Sequence, residues 1–376
     1  MRVVRIRKRG RVVATSCGAV LALATAAAVP VQVAASPQAE PRFTKHSTVV
    51  MGLDNPRQLS VTANGNLLVA AAGHGSTGGK NCSDGPHGEL CVGKSGAVLR
   101  FKQGEPRKVM SGLLSGAAPD GSFATGPDGA SKRVGGPYYA IITSAPPDLI
   151  PQGLPGKQAG KLLAKAPGGR IHAVANVAGF EARHDPDGEG VDSNPYSVLA
   201  LRKRVLVADA AGDYIAQLRH GKLSLWSLLP EYGKRVDAVP TVISKGADGK
   251  IYVGELHSEL RGKAKVWKYD RFGNALRSWG HFTTVTGVAR GADGSLYVSE
   301  LFGGNCSFDQ IPDCFPGRVV RVSPDGTRSY RKVPFPAGVA VNRGRVYVAA
   351  FSTSPATGFG GNPDWSGAIW RLFPKG

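Results

Sequence analysis

An acidic run of the chain has the residue types and spacing best suited to chemistry: His184-Asp185-Pro186-Asp187-Gly188-Glu189-Gly190-Val191-Asp192-Ser193-Asn194. Asp185, Asp187 and Glu189 alternate and Gly190 holds the sixth place, as in the first half of an EF-hand loop. The twelfth place, where an EF-hand needs a bidentate Glu, is Tyr196, and we expect no flanking helices. The run therefore fails as an EF-hand, and we interpret it as a contributor to a different Ca²⁺ site, because hard cations prefer several carboxylate oxygens.

Acids that end short apolar strands supply further candidate ligands. The predicted metal-binding set is Asp185, Asp187, Asp192, Asp209, Glu255 and Glu300. Ca²⁺ is the single cofactor that this set suggests. The alternative is an acidic surface turn in which Asp192 and Asn194 cap backbone amides at a strand entry.

Polar residues in or beside the expected loops are candidate ligand contacts: Asn55, Arg57, His74, Asn194, Tyr196 and His257. Loops carried on a rigid scaffold are the usual home of binding sites. Long glycine-rich loops are also tolerated as plain insertions, which is the alternative here. No pair of histidines has the spacing of a metalloprotease helix, so the sequence names no catalytic residue.

An internal repeat must position these residues. A Pro or Gly starts a short apolar strand, a polar turn follows, and a second strand of the type Leu/Ile-Tyr-Val comes next, as in Ile251-Tyr252-Val253 and Leu296-Tyr297-Val298. A third strand then alternates apolar and basic residues. Asp248-Gly249 and Asp293-Gly294 are typical of hairpin turns. Six copies of about four strands each predict an all-β fold, a single six-bladed β-propeller; five or seven blades are the alternatives, because the second copy is degenerate.

The sixth copy ends too early to hold a fourth strand. The segment from Phe43 to Val50 has strand character and precedes the first copy. We expect this N-terminal strand to complete the last blade and close the ring, which leaves fewer free sheet edges. The predicted propeller spans residues 43–376.

Four cysteines outside the N-terminal segment fall into two local pairs, Cys82 with Cys91 and Cys306 with Cys314. We predict two loop-stapling disulfides, as expected in an oxidising compartment. The alternative is a zinc site of four cysteines, for which the usual Cys-x-x-Cys spacing is missing.

The N-terminus has the pattern of an export signal. A basic stretch precedes an Ala-rich apolar run, and small residues follow it. We predict a secretory signal peptide over residues 1–35 and a linker over residues 36–42. The protein is then secreted or extracytoplasmic, with no membrane span after cleavage. An uncleaved membrane anchor is the alternative.

Several motifs together resemble one bacterial family. They are Asp192-Ser193-Asn194-Pro195-Tyr196, Val207-Ala208-Asp209-Ala210, Val239-Pro240-Thr241, Gly254-Glu255-Leu256 and Phe335-Pro336-Ala337-Gly338. They look like those of the ScyD/ScyE proteins, which are exported NHL-like propellers, and the resemblance covers nearly the whole predicted mature chain. It implies a secreted propeller and brings no catalytic residues with it.

The formal charge of +20 is spread along the chain, and six of the basic residues lie in the first eleven. The rest fall mainly in third and fourth strands, where a solvated rim is one interpretation and attraction to anionic wall polymers is the other. No basic track with interleaved aromatics indicates nucleic acid. The expected partner is a small molecule, a protein or an anionic wall polymer.

Two functions follow from these patterns. The first is a non-catalytic binding or scaffold propeller that uses the face carrying the long loops. The alternative is a Ca²⁺-dependent propeller hydrolase resembling gluconolactonase-type enzymes. If the chain is an enzyme, metal-assisted lactone or ester hydrolysis is the expected reaction. Fold alone does not decide between them.

Overall fold

The computed structural model describes residues 45–372, apart from 86–87, 103–104, 234–235 and 312. The predicted signal peptide, the linker and the first residues of the predicted closing strand lie outside the described residues. These described residues form 25 strands in six antiparallel sheets, which confirms the six-bladed β-propeller. No helix among these residues is long and apolar enough to cross a membrane.

The strands in chain order are β1 (His46–Leu53), β2 (Pro56–Val61), β3 (Leu67–Ala71), β4 (Cys82–Gly85), β5 (Gly88–Lys102), β6 (Glu105–Ala117), β7 (Pro127–Lys132), β8 (Tyr138–Ile142), β9 (Lys161–Lys165), β10 (His172–Asn176), β11 (Pro195–Ala200), β12 (Val205–Asp209), β13 (Tyr214–Arg219), β14 (Lys222–Leu228), β15 (Pro240–Lys245), β16 (Ile251–Glu255), β17 (Ala264–Tyr269), β18 (Ala275–Phe282), β19 (Val285–Arg290), β20 (Leu296–Glu300), β21 (Arg318–Val322), β22 (Arg328–Lys332), β23 (Val339–Asn342), β24 (Arg345–Ala350) and β25 (Gly367–Leu372). The α-helix α1 covers Val177–His184. Single 3-10 turns cover Pro147–Leu149, Gly156–Gln158, His257–Glu259, Phe308–Gln310, Phe359–Gly361 and Pro363–Trp365.

Each sheet is one blade. Blade 1 is β2 to β6, blade 2 is β7 to β10, blade 3 is β11 to β14, blade 4 is β15 to β18 and blade 5 is β19 to β22. Blade 6 is β23 to β25 completed by β1, which pairs antiparallel with β25 from His46 opposite Leu372 to Leu53 opposite Gly367. The predicted ring closure is therefore confirmed.

Blade 2 shows where the repeat is hardest to recognise in the sequence. Its second and third strands are Tyr138–Ile142 and Lys161–Lys165. Its first strand is Pro127–Lys132, with the sequence PDGASK, which the repeat analysis did not identify. This strand is buried although it has no large apolar side chain, because it lies beside the crowded axis of the ring.

The first strands of the six blades, with the residues that lead into β23, are joined by a complete ring of hydrogen bonds. Hydroxyl side chains make five of these links, and a backbone amide makes the sixth. The links are Ser60 Oγ to Ala130 O (3.1 Å), Ala200 N to Ser131 Oγ (2.9 Å), Ile243 N to Ser197 Oγ (3.0 Å), Thr241 Oγ1 to Val285 O, Thr286 Oγ1 to Pro336 O (2.8 Å) and Gly338 N to Arg57 O (3.2 Å).

The core lies between neighbouring sheets, where each blade offers one apolar face of its period-2 strands. Between blades 2 and 3, for example, Ile141 and Leu162 pack with Val198 and Val207, all of them fully buried. Burying one such side chain contributes about 1.5–3 kcal/mol relative to leaving it exposed. These interfaces make the ring a rigid support for its loops.

The two ends of the ring differ. The loop-rich face carries the second-to-third-strand and fourth-to-first-strand connections, of which the longest are residues 72–81, 118–126, 143–160, 177–194, 229–239, 301–317 and 351–366. The hairpin face carries short turns between first and second strands and between third and fourth strands. Both predicted disulfides are present: Cys82–Cys91 joins the paired strands β4 and β5, and Cys306–Cys314 staples the loop over residues 301–317.

Candidate functional site

The acids that end the second strands of blades 3, 4 and 5 are completely buried, as their place beside the core requires. Asp209 accepts hydrogen bonds from Ser193 Oγ (2.6 Å), from the Asn194 amide (2.7 Å) and from the Tyr214 hydroxyl (3.1 Å). Burial raises the pKa of Asp209, and these bonds partly offset that effect. The carboxylate thus anchors the entry of β11 to the end of β12.

Glu255 makes a similar set of contacts within blade 4. Its Oε1 accepts from the Tyr232 hydroxyl (2.7 Å) and from Trp267 Nε1, and Oε2 lies 3.3 Å from His257 Nδ1. Burial raises the pKa of Glu255, which the three partners counteract.

In blade 5, Glu300 accepts from the Thr283 amide (2.7 Å) and pairs with Arg318 Nε. All three strand-end acids therefore hold loops and strands of their own blades. In the described part of the chain, no group of three acid, His or Cys ligands within 4.8 Å of one another includes Asp192, Asp209, Glu255 or Glu300.

A different acid completes the cluster that the sequence pointed to. Ligand oxygens of Glu181, Asp185 and Asp187 lie within 4.8 Å of one another at the end of α1, on the loop-rich face. Sequence analysis expected no helix next to this loop, which was wrong: α1 ends directly before it. The following segment enters β11 rather than a second helix, so the EF-hand is still excluded.

Local sequence explains this turn. Asn176 caps α1 by accepting a hydrogen bond from the Gly179 amide (3.0 Å), and Asp185 ends the helix in the left-handed conformation with φ of 40°. Asp185 Oδ1 accepts from the Gly190 amide (3.2 Å) and Asp187 Oδ1 from the Glu189 amide (3.0 Å). These bonds fold the loop back over the last turn of α1.

Glu181 is the exceptional member of this group. Its side chain is fully buried, and neither carboxylate oxygen has a hydrogen-bond partner among the described residues. Oε2 lies against Gly212, where a Cβ would come within 2.9 Å of it. An unpaired buried carboxylate costs several kcal/mol unless it is protonated or binds a cation.

The pKa values of the cluster reflect the same cost of burying charged carboxylates. Burial, with the charges of Asp209, Asp187, Asp185 and Asp192, raises the pKa of Glu181 to about 8. Burial raises the pKa of Asp187 to about 6. Three clustered carboxylates are the donor set that a hard divalent cation prefers, and the pKa values of two of them, Glu181 and Asp187, are raised. The cluster fits Ca²⁺, which would replace the proton on Glu181.

The axis of the ring is closed by side chains from β2. Gln58 reaches blades 3 and 4: its Nε2 donates to Val198 O (3.2 Å) and Ile243 O (3.4 Å), and its Oε1 accepts from Val198 N (3.2 Å). Beside it, Arg57 donates to Ala124 O and lies 3.5 Å from Asp128 on β7. Burial raises the pKa of Asp128 to about 7, although the Arg57 charge opposes this.

The other residues predicted to contact a ligand differ in how far their side chains are exposed to solvent. Asn55 is fully buried, and its amide donates to Gly73 O and Gly121 O (both 2.8 Å), so it joins loops. His74 is partly exposed and lies 3.0 Å from Asp54, which raises the pKa of His74. Tyr196 is half-buried on β11. Asn194 accepts from Thr143 Oγ1 (2.5 Å) in the neighbouring blade.

His257 occupies a strained turn. It and the next two residues, Ser258 and Glu259, all have φ between 45° and 61°, a run that side chains other than Gly rarely adopt. Its ring is buried, lies 3.3 Å from Glu255 and packs 4.2 Å from the ring of Tyr232. Such strain occurs mostly where the surrounding structure fixes a residue for function.

Sequence analysis missed Glu181, Asp128 and Gln58. The capping residue Asn176, followed by Val177 and Phe180 one turn apart, is the pattern that predicts a short helix and places Glu181 one turn before Asp185. Gln58 and Asp128 carry no local signal, because their roles depend on contacts between blades.

The fold is a six-bladed β-propeller. Its loop-rich face carries a cluster of three carboxylates that could hold a metal ion. The chain matches no protein-family model and no curated protein. Among solved structures it is similar to a putative oxidoreductase (glucose dehydrogenase) from Thermus thermophilus, with TM-score 0.51, 13% identity and coverage of 88% of this chain and 99% of that one.

Two further similar structures are the calcium-binding protein regucalcin from Agrobacterium tumefaciens and a streptogramin B lyase. The regucalcin has TM-score 0.49 and 11% identity, covering 88% of this chain and 93% of that one. The lyase has TM-score 0.48 and 13% identity, covering 88% and 96%. These neighbours are six-bladed propellers, and at such identities the likeness concerns the fold alone.

Proposed function

We propose that this chain is a secreted, non-catalytic binding propeller whose loop-rich face presents ligand-binding loops, one of them held by Ca²⁺. The observation that carries the proposal is Glu181, a fully buried carboxylate without a partner that shares a cluster with Asp185 and Asp187. The resemblance to the ScyD/ScyE proteins and the two disulfides support an extracytoplasmic place for it.

The remaining acids support binding rather than catalysis on the axis. Asp209, Glu255 and Glu300 accept hydrogen bonds from their own blades, and Gln58 spans the axis. A metal-dependent reaction in the channel would need those carboxylates turned inward. With these acids and Gln58 in structural roles, we assign partner binding to the loops between the blades.

Calcium titration of the purified protein tests the metal site. At pH 8, Ca²⁺ should release heat and raise the melting temperature, and Glu181→Gln should abolish both effects. Glu189→Gln, in the same loop but outside the three-acid group, is the matched control and should respond like the wild type. A wild-type protein that shows no heat and no thermal shift with Ca²⁺ would exclude the site.

A second function is favoured by one observation, the contact of His257 Nδ1 with the Glu255 carboxylate at 3.3 Å in a strained turn. A histidine oriented by a carboxylate is the usual arrangement of a general base. The chain would then be a Ca²⁺-assisted hydrolase. A screen of lactones and esters decides: turnover that His257→Gln abolishes supports the hydrolase, and no turnover on any substrate supports the binding protein.

A further inference from the structure

A cavity of about 690 Å³ opens on the hairpin face, between blades 2 and 3, at the opposite end of the ring from the acidic cluster. We call it the basic cavity. Its cationic residues come from three turns: Arg133 from the β7–β8 turn, Arg202 and Lys203 from the β11–β12 turn, and Arg219 with His220 at the β13–β14 turn. No Asp or Glu lines it.

The cations of the basic cavity have no acid partners. None of the ion pairs among the described residues includes Arg133, Arg202, Lys203 or Arg219. Arg202, Lys203 and Arg219 are exposed, so their charges face solvent without internal compensation. Like charges that line one cavity repel each other, and a bound anion relieves that repulsion.

The corresponding turns of blades 4 and 5 are built differently. There Asp248 and Asp293 occupy the first-to-second-strand turns, and they pair with Lys268 (2.9 Å) and Arg321 (3.4 Å) on the third strands. The fold therefore accommodates acids at these positions. Blades 2 and 3 carry cations instead, which makes the basic cavity a local property and not a consequence of the repeat.

Arg133 is held in place within the cavity. Its guanidinium lies 5.3 Å from the centre of the Tyr139 ring, and its Nε is buried without a hydrogen-bond partner. A stacked guanidinium loses little further freedom when it binds an anion. Tyr139 itself is only 4% exposed, so its ring offers no free face for stacking a nucleobase.

We infer that the basic cavity binds the phosphate groups of a phosphodiester polymer that carries no bases, such as a polyol-phosphate wall polymer. Three arginines match phosphate geometry, because a guanidinium donates two parallel hydrogen bonds to it. The cations lie on three turns of two blades, an arrangement that suits successive charges along a chain. This inference does not depend on the proposed function of the loop-rich face.

The test is binding of poly(glycerol phosphate) to the purified protein at several NaCl concentrations. The double variant Arg202→Gln/Lys203→Gln removes two cations from the basic cavity. The matched control, Arg343→Gln/Arg345→Gln, removes two exposed cations from the equivalent turn of blade 6, so net charge is the same in both. Both turns are exposed, and unchanged melting temperatures will show that both variants fold.

We expect the cavity variant to weaken binding about tenfold and to lower the salt dependence by about 1.5 in log–log slope, since each lost phosphate contact removes roughly 0.7–0.9. The blade 6 control should change affinity less than about twofold. Equal losses in both variants would mean attraction to net charge only and would overturn the inference.

A second arm uses single-stranded DNA with the same number of phosphates. Weaker binding to DNA than to poly(glycerol phosphate) is the expected result. Equal or tighter DNA binding that the cavity variant abolishes would identify a nucleic-acid site and overturn the assigned occupant.

Discussion

The side chain of Gln58 and the backbone of Val198 exchange two hydrogen bonds, each of 3.2 Å, across the axis of the propeller. Gln58 belongs to blade 1 and Val198 to blade 3, so the pair joins blades that are not neighbours in the ring. The pair satisfies a backbone donor and acceptor where the first strands crowd together.

Replacing Gln58 with Met removes this link while keeping the side-chain volume. The Val198 N–H and C=O then stay buried without partners, and we expect a loss of about 2–4 kcal/mol in the free energy of unfolding. Urea denaturation measures it. Gln152→Met, at an exposed loop position, is the control and should change stability by less than about 0.5 kcal/mol. A similarly small loss for Gln58→Met would mean that the axis repacks.

Glu181 should make the metal-free protein less stable as pH rises. Its ordinary pKa is 4.5 and its folded pKa is about 8. Between these values the folded state keeps a proton that the unfolded state has lost, so stability falls by up to about 1.4 kcal/mol per pH unit. Denaturation in EDTA from pH 5 to 8 measures this slope. Glu181→Gln should make the slope smaller but not remove it, because the raised pKa values of Asp187 and Asp128 contribute in the same direction. An unchanged slope in the variant would assign the effect to other groups.

Removing only Arg57 from the buried Arg57–Asp128 pair should lower the free energy of unfolding. Arg57→Met leaves Asp128 buried beside the axis without its cation, and we expect a loss of about 3–5 kcal/mol at pH 8. The double variant Arg57→Met/Asp128→Leu removes both charges and should recover much of that loss. Chemical denaturation of both variants tests this. A double variant less stable than Arg57→Met would show that the pair is net stabilising.

Ring closure by β1 can be tested by truncation. A chain that begins at Phe43 should unfold like the longer one, whereas a chain that begins at Asp54 lacks β1 and exposes the edge of β25. The second chain also loses the stacking of His46 on Trp370, whose ring centroids are 3.6 Å apart. We expect a lower melting temperature and aggregation in size-exclusion chromatography. Equal behaviour of the two chains would contradict a structural role for β1.

The architecture was largely predictable because the same local pattern of strands and turns recurs along the sequence. Strands such as Ile251–Glu255 are short, fully buried runs that begin with apolar residues and lie between recognisable turns. The pairing of β1 with β25 followed from a missing fourth strand. Blade 2 was harder to recognise, because Pro127–Lys132 is buried by its place beside the axis and not by apolar side chains.

The candidate site was predictable only in part. Asp185 and Asp187 stand out because their spacing matches a known loop, and the structure brings them together. Glu181 is in the preceding helix, and its importance comes from being buried without a partner, which a sequence does not show. Asp209, Glu255 and Glu300 have the expected positions at strand ends, but their hydrogen-bond partners come from loops whose course was unknown.

Because β1 and β25 are neighbours in one sheet, the first and last strands of the propeller are covalently separate but spatially adjacent. A short linker between them would let the chain be cut at any hairpin-face turn, giving circular permutants with the same six blades. The same adjacency means that the ring cannot close until β25 has been synthesised, so closure is the last step in assembling the six blades.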